Sequence, residues 1–119
     1  MTARADNHLP LPPAVFHVLL ALADGEKHGY AVMKEIRTRT NGAVVLGAST
    51  LYGIVKRLVD SEWIEESSER PDPALDDERR RYYRLTDLGR AVAVAESRRL
   101  EATLGIARAK RLIPSPRGR

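Results

Sequence analysis

The sequence predicts a mainly helical domain carrying a small β wing, and three observations support this. Apolar residues recur at helical spacing in four separate stretches. Two short runs, around Trp63-Ile64 and Tyr82-Tyr83, read as the strands of a hairpin, and a polar, proline-containing segment at 67–78 parts them. With 119 residues, 43% of them hydrophobic, the chain is long enough for one core and too short for two.

Residues 1–10 form an N-terminal extension. PPAVFHVLLALAD, residues 12–24, starts with prolines, which a first helical turn tolerates, and stops before Gly25. Gly29 opens GYAVMKEIRTRTNG, in which Tyr30, Met33, Ile36 and Arg37 approximate one face and Asn41-Gly42 ends the run. AVVL at 43–46 is short and β-branched, so a small strand is expected there. In the third helix, within ASTLYGIVKRLVD, Leu51, Ile54, Val55, Leu58 and Val59 share an apolar face. Ser49 or Thr50 is its expected N-cap, and Gly53 falls in the first turn, where a missing side chain costs little and permits close approach.

WIEE at 63–66 and RRRYYRLT at 79–86 read as two strands of a hairpin around the exposed 67–78 loop. Tyr82 and Tyr83 must point to opposite faces, which puts one of them in the core. A last helix runs from Asp87 to about Leu112, with an imperfect seam of Leu88, Val92, Ala95, Leu100, Leu104 and Ala107. PSPRGR, 114–119, reads as a flexible basic tail. The expected organisation is therefore 1–10 extension, 11–86 domain, 87–113 terminal helix and 114–119 tail.

Composition excludes several classes. Without cysteine there is no disulfide framework or thiolate metal site, and a reducing compartment is expected. His8, His17 and His28 are scattered and form no ligand cluster. The apolar run at 14–23 is too short to span a membrane, which needs roughly 20 residues, so a soluble, cytoplasmic protein is expected. No glycine-rich phosphate loop, nucleophile and base pair, or metal cluster argues for an enzyme, and no cofactor is expected. The net charge of +4 is uninformative, because Arg108, Lys110, Arg111, Arg117 and Arg119 concentrate it at the C-terminus and leave residues 1–104 at −1, with fifteen bases against sixteen acids.

The element order is that of a winged helix-turn-helix followed by a long C-terminal dimerisation helix. In such a module the third helix enters the major groove. Ser49, Thr50 and Tyr52 can donate hydrogen bonds there, Gly53 allows close approach, and Lys56 with Arg57 at the margin supplies charge. A solvated face of an amphipathic helix is the competing reading. Arg79, Arg80 and Arg81 stand where a wing meets the backbone or minor groove, although pairing with Asp76, Asp77 and Glu78 would account for one of them. A winged helix used only for protein contacts is the rival function. The exposed terminal seam argues for a homodimer, with double-stranded DNA as the other partner.

HGYAVMKEI at 28–36, GASTLYGIVKRLVDSEWIEE at 47–66 and RRRYYRLTDLGR at 79–90 together resemble the PadR-like winged-helix transcriptional regulators over roughly residues 11–112. The resemblance is to the short form of the family, with one helix after the wing. It implies a homodimer held by that helix, binding a palindromic operator, usually repressing neighbouring genes, and often relieved by a small-molecule effector. It also implies contacts from Ser49, Thr50, Tyr52 and Lys56. Gly53 departs from a proline found in many members, and the acidic wing loop makes the wing contact less secure than the helix contact. His28 and Tyr30 match the family's HGY, which packing of helix 2 on helix 3 explains. Trp63 is expected as a core anchor. Residues 87–112 hold no aromatic, which argues against an aromatic effector sandwich on the terminal helix.

Overall fold

A computed structural model describes residues 8–67 and 81–114. Its helices and strands are α1 (Pro13–Leu22), β1 (Lys27–His28), α2 (Gly29–Arg39), α3 (Ala48–Asp60), β2 (Ile64–Glu66), β3 (Tyr82–Leu85) and α4 (Asp87–Ala109). α1 is the central strut: Val18 and Leu19 are fully buried, and the helix packs on α2, α4 and β3. Burying Leu19, Leu22, Leu51 and Ile64 contributes roughly 1.5–3 kcal/mol for each side chain.

α2 starts at His28, whose Nδ1 accepts the Ala31 N–H at 3.1 Å. Its buried face is Gly29, Val32 and Ile36, while Tyr30 is 48% exposed and Arg37 faces solvent. The face expected from Tyr30, Met33, Ile36 and Arg37 is therefore rotated. The cause is tertiary: a Cβ on Gly29 would overlap the Tyr52 hydroxyl, so α2 meets α3 edge-on at the one residue without a side chain.

The strand expected at AVVL, 43–46, does not form. Asn41 and Gly42 take positive φ, the Ala43 N–H bonds the Thr40 carbonyl at 3.0 Å, and the Val44 N–H bonds Thr40 Oγ1 at 3.0 Å. This backbone closes the end of α2 and cannot also join a ladder. The three-stranded antiparallel sheet, ordered β1-β3-β2, instead takes Lys27 opposite Tyr83 and His28 opposite Tyr82. On the other edge Ile64, Glu65 and Glu66 face Leu85, Arg84 and Tyr83. Tyr83 is the buried tyrosine of the pair.

α3 is capped by Gly47, with no side-chain cap; Ser49 and Thr50 lie inside the first turn. Leu51, Ile54, Val55 and Leu58 are buried as the spacing requires, and Val59 is left at the exposed margin. α4 is capped by Thr86, whose Oγ1 accepts the Gly89 N–H at 3.0 Å and donates to the Glu62 carbonyl at 2.5 Å. Gly89 lies against the Trp63 carbonyl, in space that any Cβ would have to share.

Candidate nucleic-acid interface

The geometry of α3 follows from its two ends. At the N-terminus the Leu51 N–H returns to Gly47 O at 2.9 Å, so the amides of Ala48, Ser49 and Thr50 precede the first intrahelical bond. No acid stands in that turn and no side chain caps it, which leaves the positive end of the helix open to an anion. At the C-terminus Glu62 takes φ 65°, and the Trp63 N–H bonds Leu58 O at 2.9 Å, turning the chain sharply into β2. The helix is thereby braced against Trp63 and the wing while its outer face stays open.

Ser49, Thr50, Gly53 and Lys56 are exposed on that face, and nothing lies within contact range of a Cβ built on Gly53. Lys56 sits 3.5 Å from Asp60, both well exposed; such an ion pair contributes well under about 1 kcal/mol and exchanges readily onto another anion. Arg57 is exposed at the margin, as its spacing predicts. Tyr52 is half-buried and set against Gly29, so it also braces α2 on α3.

On the wing, Arg81 reaches Glu66 at 3.6 Å and Arg84 pairs with Glu65 at 2.8 Å across the strands. Arg79 and Arg80 lie outside the described residues, as do Asp76, Asp77 and Glu78. Lys27 is engaged inside the fold, bonding the Ala21 carbonyl at 2.6 Å and pairing with Asp24 at 2.5 Å. Its hydrogen bond and charge hold the Asp24 carboxyl below its usual range. The Tyr82 ring meets His28 edge-on at 5.4 Å, which ties the wing to the start of α2.

The terminal seam divides in two. Val92 is fully buried in its own domain, and Leu88 and Ala95 pack against the same core. Leu100 and Ala107 are half-buried and Leu104 is 44% exposed. Leu100 and Leu104 border an open groove of about 670 Å³ between α1 and α4, whose walls include Phe16, Leu20, Val94 and Arg108. Phe16 on α1 is an aromatic wall of this groove. Among the described residues no helix is long and apolar enough to cross a membrane, and no group of three or more acidic or histidine side chains is placed to hold a metal.

Two residues escaped the sequence reading. Gly29 sets the α2–α3 contact, and its signal was the small residue between His28 and Tyr30. Glu96 is a buried carboxylate, and its signal was its place four residues after Val92 on the apolar side of α4.

A helix pair, a presented third helix, a two-stranded wing and a trailing helix define a winged-helix fold. The chain belongs to the transcriptional regulator PadR-like family, whose model matches residues 18–95. It is 34% identical over 74 residues to an uncharacterized protein of Lysinibacillus sphaericus, a match covering 62% of this chain and 65% of that relative. A transcriptional regulator of Clostridium thermocellum superposes with a TM-score of 0.64 at 26% identity, over 80% of this chain and 86% of that one. Bacillus subtilis PadR, solved in complex with operator DNA, shares the fold with a TM-score of 0.57 at 23% identity, over 68% of this chain and 44% of that one.

Proposed function

We propose that the protein binds double-stranded DNA as a twofold homodimer at a palindromic operator and represses transcription, with α3 as the recognition helix. The observation that carries this reading is the outer face of α3: Ser49, Thr50, Gly53 and Lys56 are all exposed beside a helix N-terminus that no acid or side chain caps. The operator complex of Bacillus subtilis PadR lends a precedent for the fold. Arg57, and the Arg79 to Arg81 cluster on the wing, add backbone contacts. Tyr52 contributes by holding α3 in place and by reaching phosphate from the edge of the face.

The dimer is supported by the apolar distal half of α4. Leu104, Ile106 and Leu112 are exposed, and a helix of 23 residues extends about 34 Å, well past the core of its own domain. A second chain lying along Leu100, Leu104 and Ala107 would cover it and set two recognition helices about 34 Å apart. A small-molecule effector has room in the groove beside Phe16 and Leu20.

Fluorescence anisotropy with duplexes from the upstream region of the protein's own gene, and a shuffled control, tests the DNA reading. Preference for the upstream duplex, with log affinity falling by about 0.9 per neutralised phosphate per log unit of salt, is expected. Lys56→Ala should weaken all duplexes and lower that slope by about 1. Equal weak binding to every duplex, unchanged in Lys56→Ala, would favour a protein-binding winged helix.

A further inference from the structure

Residues 8–12 run from α4 to the junction of α3 and the wing, and both ends are fastened. At one end the Leu11 N–H donates to Glu96 Oε2 at 3.1 Å, across 85 residues of sequence. Glu96 is buried, and its oxygens also take Arg99 Nε at 2.6 Å and Nη2 at 3.0 Å. At the other end the His8 ring stands edge-on to Trp63 with centroids 4.9 Å apart. Leu9 and Leu11 pack on the core between these points. His8, Leu11 and Trp63 then enclose a cleft of about 200 Å³ with Arg57 and Ser61, which belong to the last turn and cap of α3.

We propose that residues 8–12 are a coupling strap: Glu96 on α4 holds the strap, and the strap positions Trp63 and the end of α3, so that displacement of the terminal helix is passed to the recognition helix. The physical reason lies in the carboxylate. A buried charge is tolerated only while its oxygens are matched by donors, and Glu96 has three N–H groups on it, two from Arg99. Arg99 is 38% exposed and lies one residue before Leu100, where the distal half of α4 begins to leave the core. Glu96 and Arg99 stand one turn apart on the same helix, so a shift of α4 carries the pair together and withdraws the carboxylate from the Leu11 N–H, which then loses its acceptor. At the far end Trp63 has little freedom, because its carbonyl accepts the Thr86 N–H at 3.0 Å and Gly89 sits on it; an altered strap is therefore felt at α3, β2 and the start of α4 together. Glu96 is in this sense a positioning residue, and its relevance to regulation rests on the DNA-binding reading above.

Trp63 is the only tryptophan, which makes the strap observable in the full chain without DNA. Acrylamide quenching of Trp63 should rise about twofold in Glu96→Gln and in Arg99→Ala with helix content retained, as local opening of the strap requires. His8→Ala should give a similar rise, and His8→Ala with Glu96→Gln should give no more than either alone, because both act on one strap. Wild-type quenching in Arg99→Ala and Glu96→Gln, or effects of His8→Ala and Glu96→Gln that simply add, overturns the proposal. Should Glu96→Gln not fold, Arg99→Ala on the exposed partner decides it. On the upstream duplex, the variants that expose Trp63 should bind about fivefold or more weakly; exposure of Trp63 with unchanged affinity would overturn the transmission to α3. A wild-type protein that prefers no duplex would count against the DNA reading while leaving the quenching result intact.

Discussion

Glu96 is a carboxylate that folding has taken out of water, and its hydrogen bonds from Arg99, aided by the Leu11 N–H, hold it below its ordinary value of 4.5 despite the opposing effect of burial. A group depressed in the folded state contributes stability that is fully present above its unfolded pKa and is lost as the pH falls through the folded one. Urea midpoints should therefore hold steady from neutral pH down to about 5 and decline below 4.5, with a smaller decline in Glu96→Gln. Glu62 makes a different demand, on backbone rather than charge. At φ 65° its Cβ crowds the chain at a cost of roughly 1–2 kcal/mol, against a smaller entropic cost for glycine in the unfolded state. Glu62→Gly should raise stability by about 0.5–1 kcal/mol, read as a higher thermal midpoint, and a lower midpoint would show that the Glu62 side chain has a role of its own.

Among the helices and strands, three helices end alike. α2, α3 and α4 each pass through a left-handed residue, Asn41, Glu62 and Arg111, and each closes with a six-residue bond: Gly42 N–H to Arg37 O, Trp63 N–H to Leu58 O and Leu112 N–H to Ala107 O, all 2.8–2.9 Å. The middle one matters most, because it sets the angle at which α3 meets the wing. That junction is locked from the other side by Gly89 in the first turn of α4, seated against the Trp63 carbonyl. A Cβ there meets backbone, which cannot swing aside as a flexible side chain would. Gly89→Ala should destabilise by about 3 kcal/mol or more, whereas a loss under about 1 kcal/mol would mean that the α4–β2 junction yields. The cross-strand pair Arg84–Glu65, half-exposed on both sides, is by contrast a minor contributor to stability.

At the level of the whole molecule the chain is elongated, 54 × 33 × 23 Å, because α4 continues beyond the core. The distal half of α4, with Leu104 and Ile106 exposed, is the surface expected to be covered by a second copy. Leu104 lies outside the buried core, so Leu104→Glu should leave the fold intact while shifting the sedimentation coefficient of a micromolar solution to that of a monomer. A dimer that persists in Leu104→Glu would place the interface elsewhere. Loss of the dimer should also remove most operator affinity, since each half-site then binds alone.

The sequence by itself determined the order of the four helices and the position of the hairpin among them, the apolar face of α3, the buried tyrosine of the wing pair as one of two, and the outward placement of Ser49, Thr50, Gly53 and Lys56. These follow from local periodicity, since spacing of 3.6 or 2 residues fixes which side chains can share a face. It could not decide which face of α2 is inward, which segment completes the sheet, or how far α4 belongs to its own core. Those were settled by contacts distant in sequence: Gly29 under Tyr52, Lys27–His28 on β3, and Glu96 on Leu11. The AVVL stretch had the composition of a strand, yet the α2 closure at Thr40 used its amides first. Propensity ranks what a segment can do locally, and tertiary packing chooses among those options because a buried donor, carboxylate or missing side chain has only one neighbour able to satisfy it.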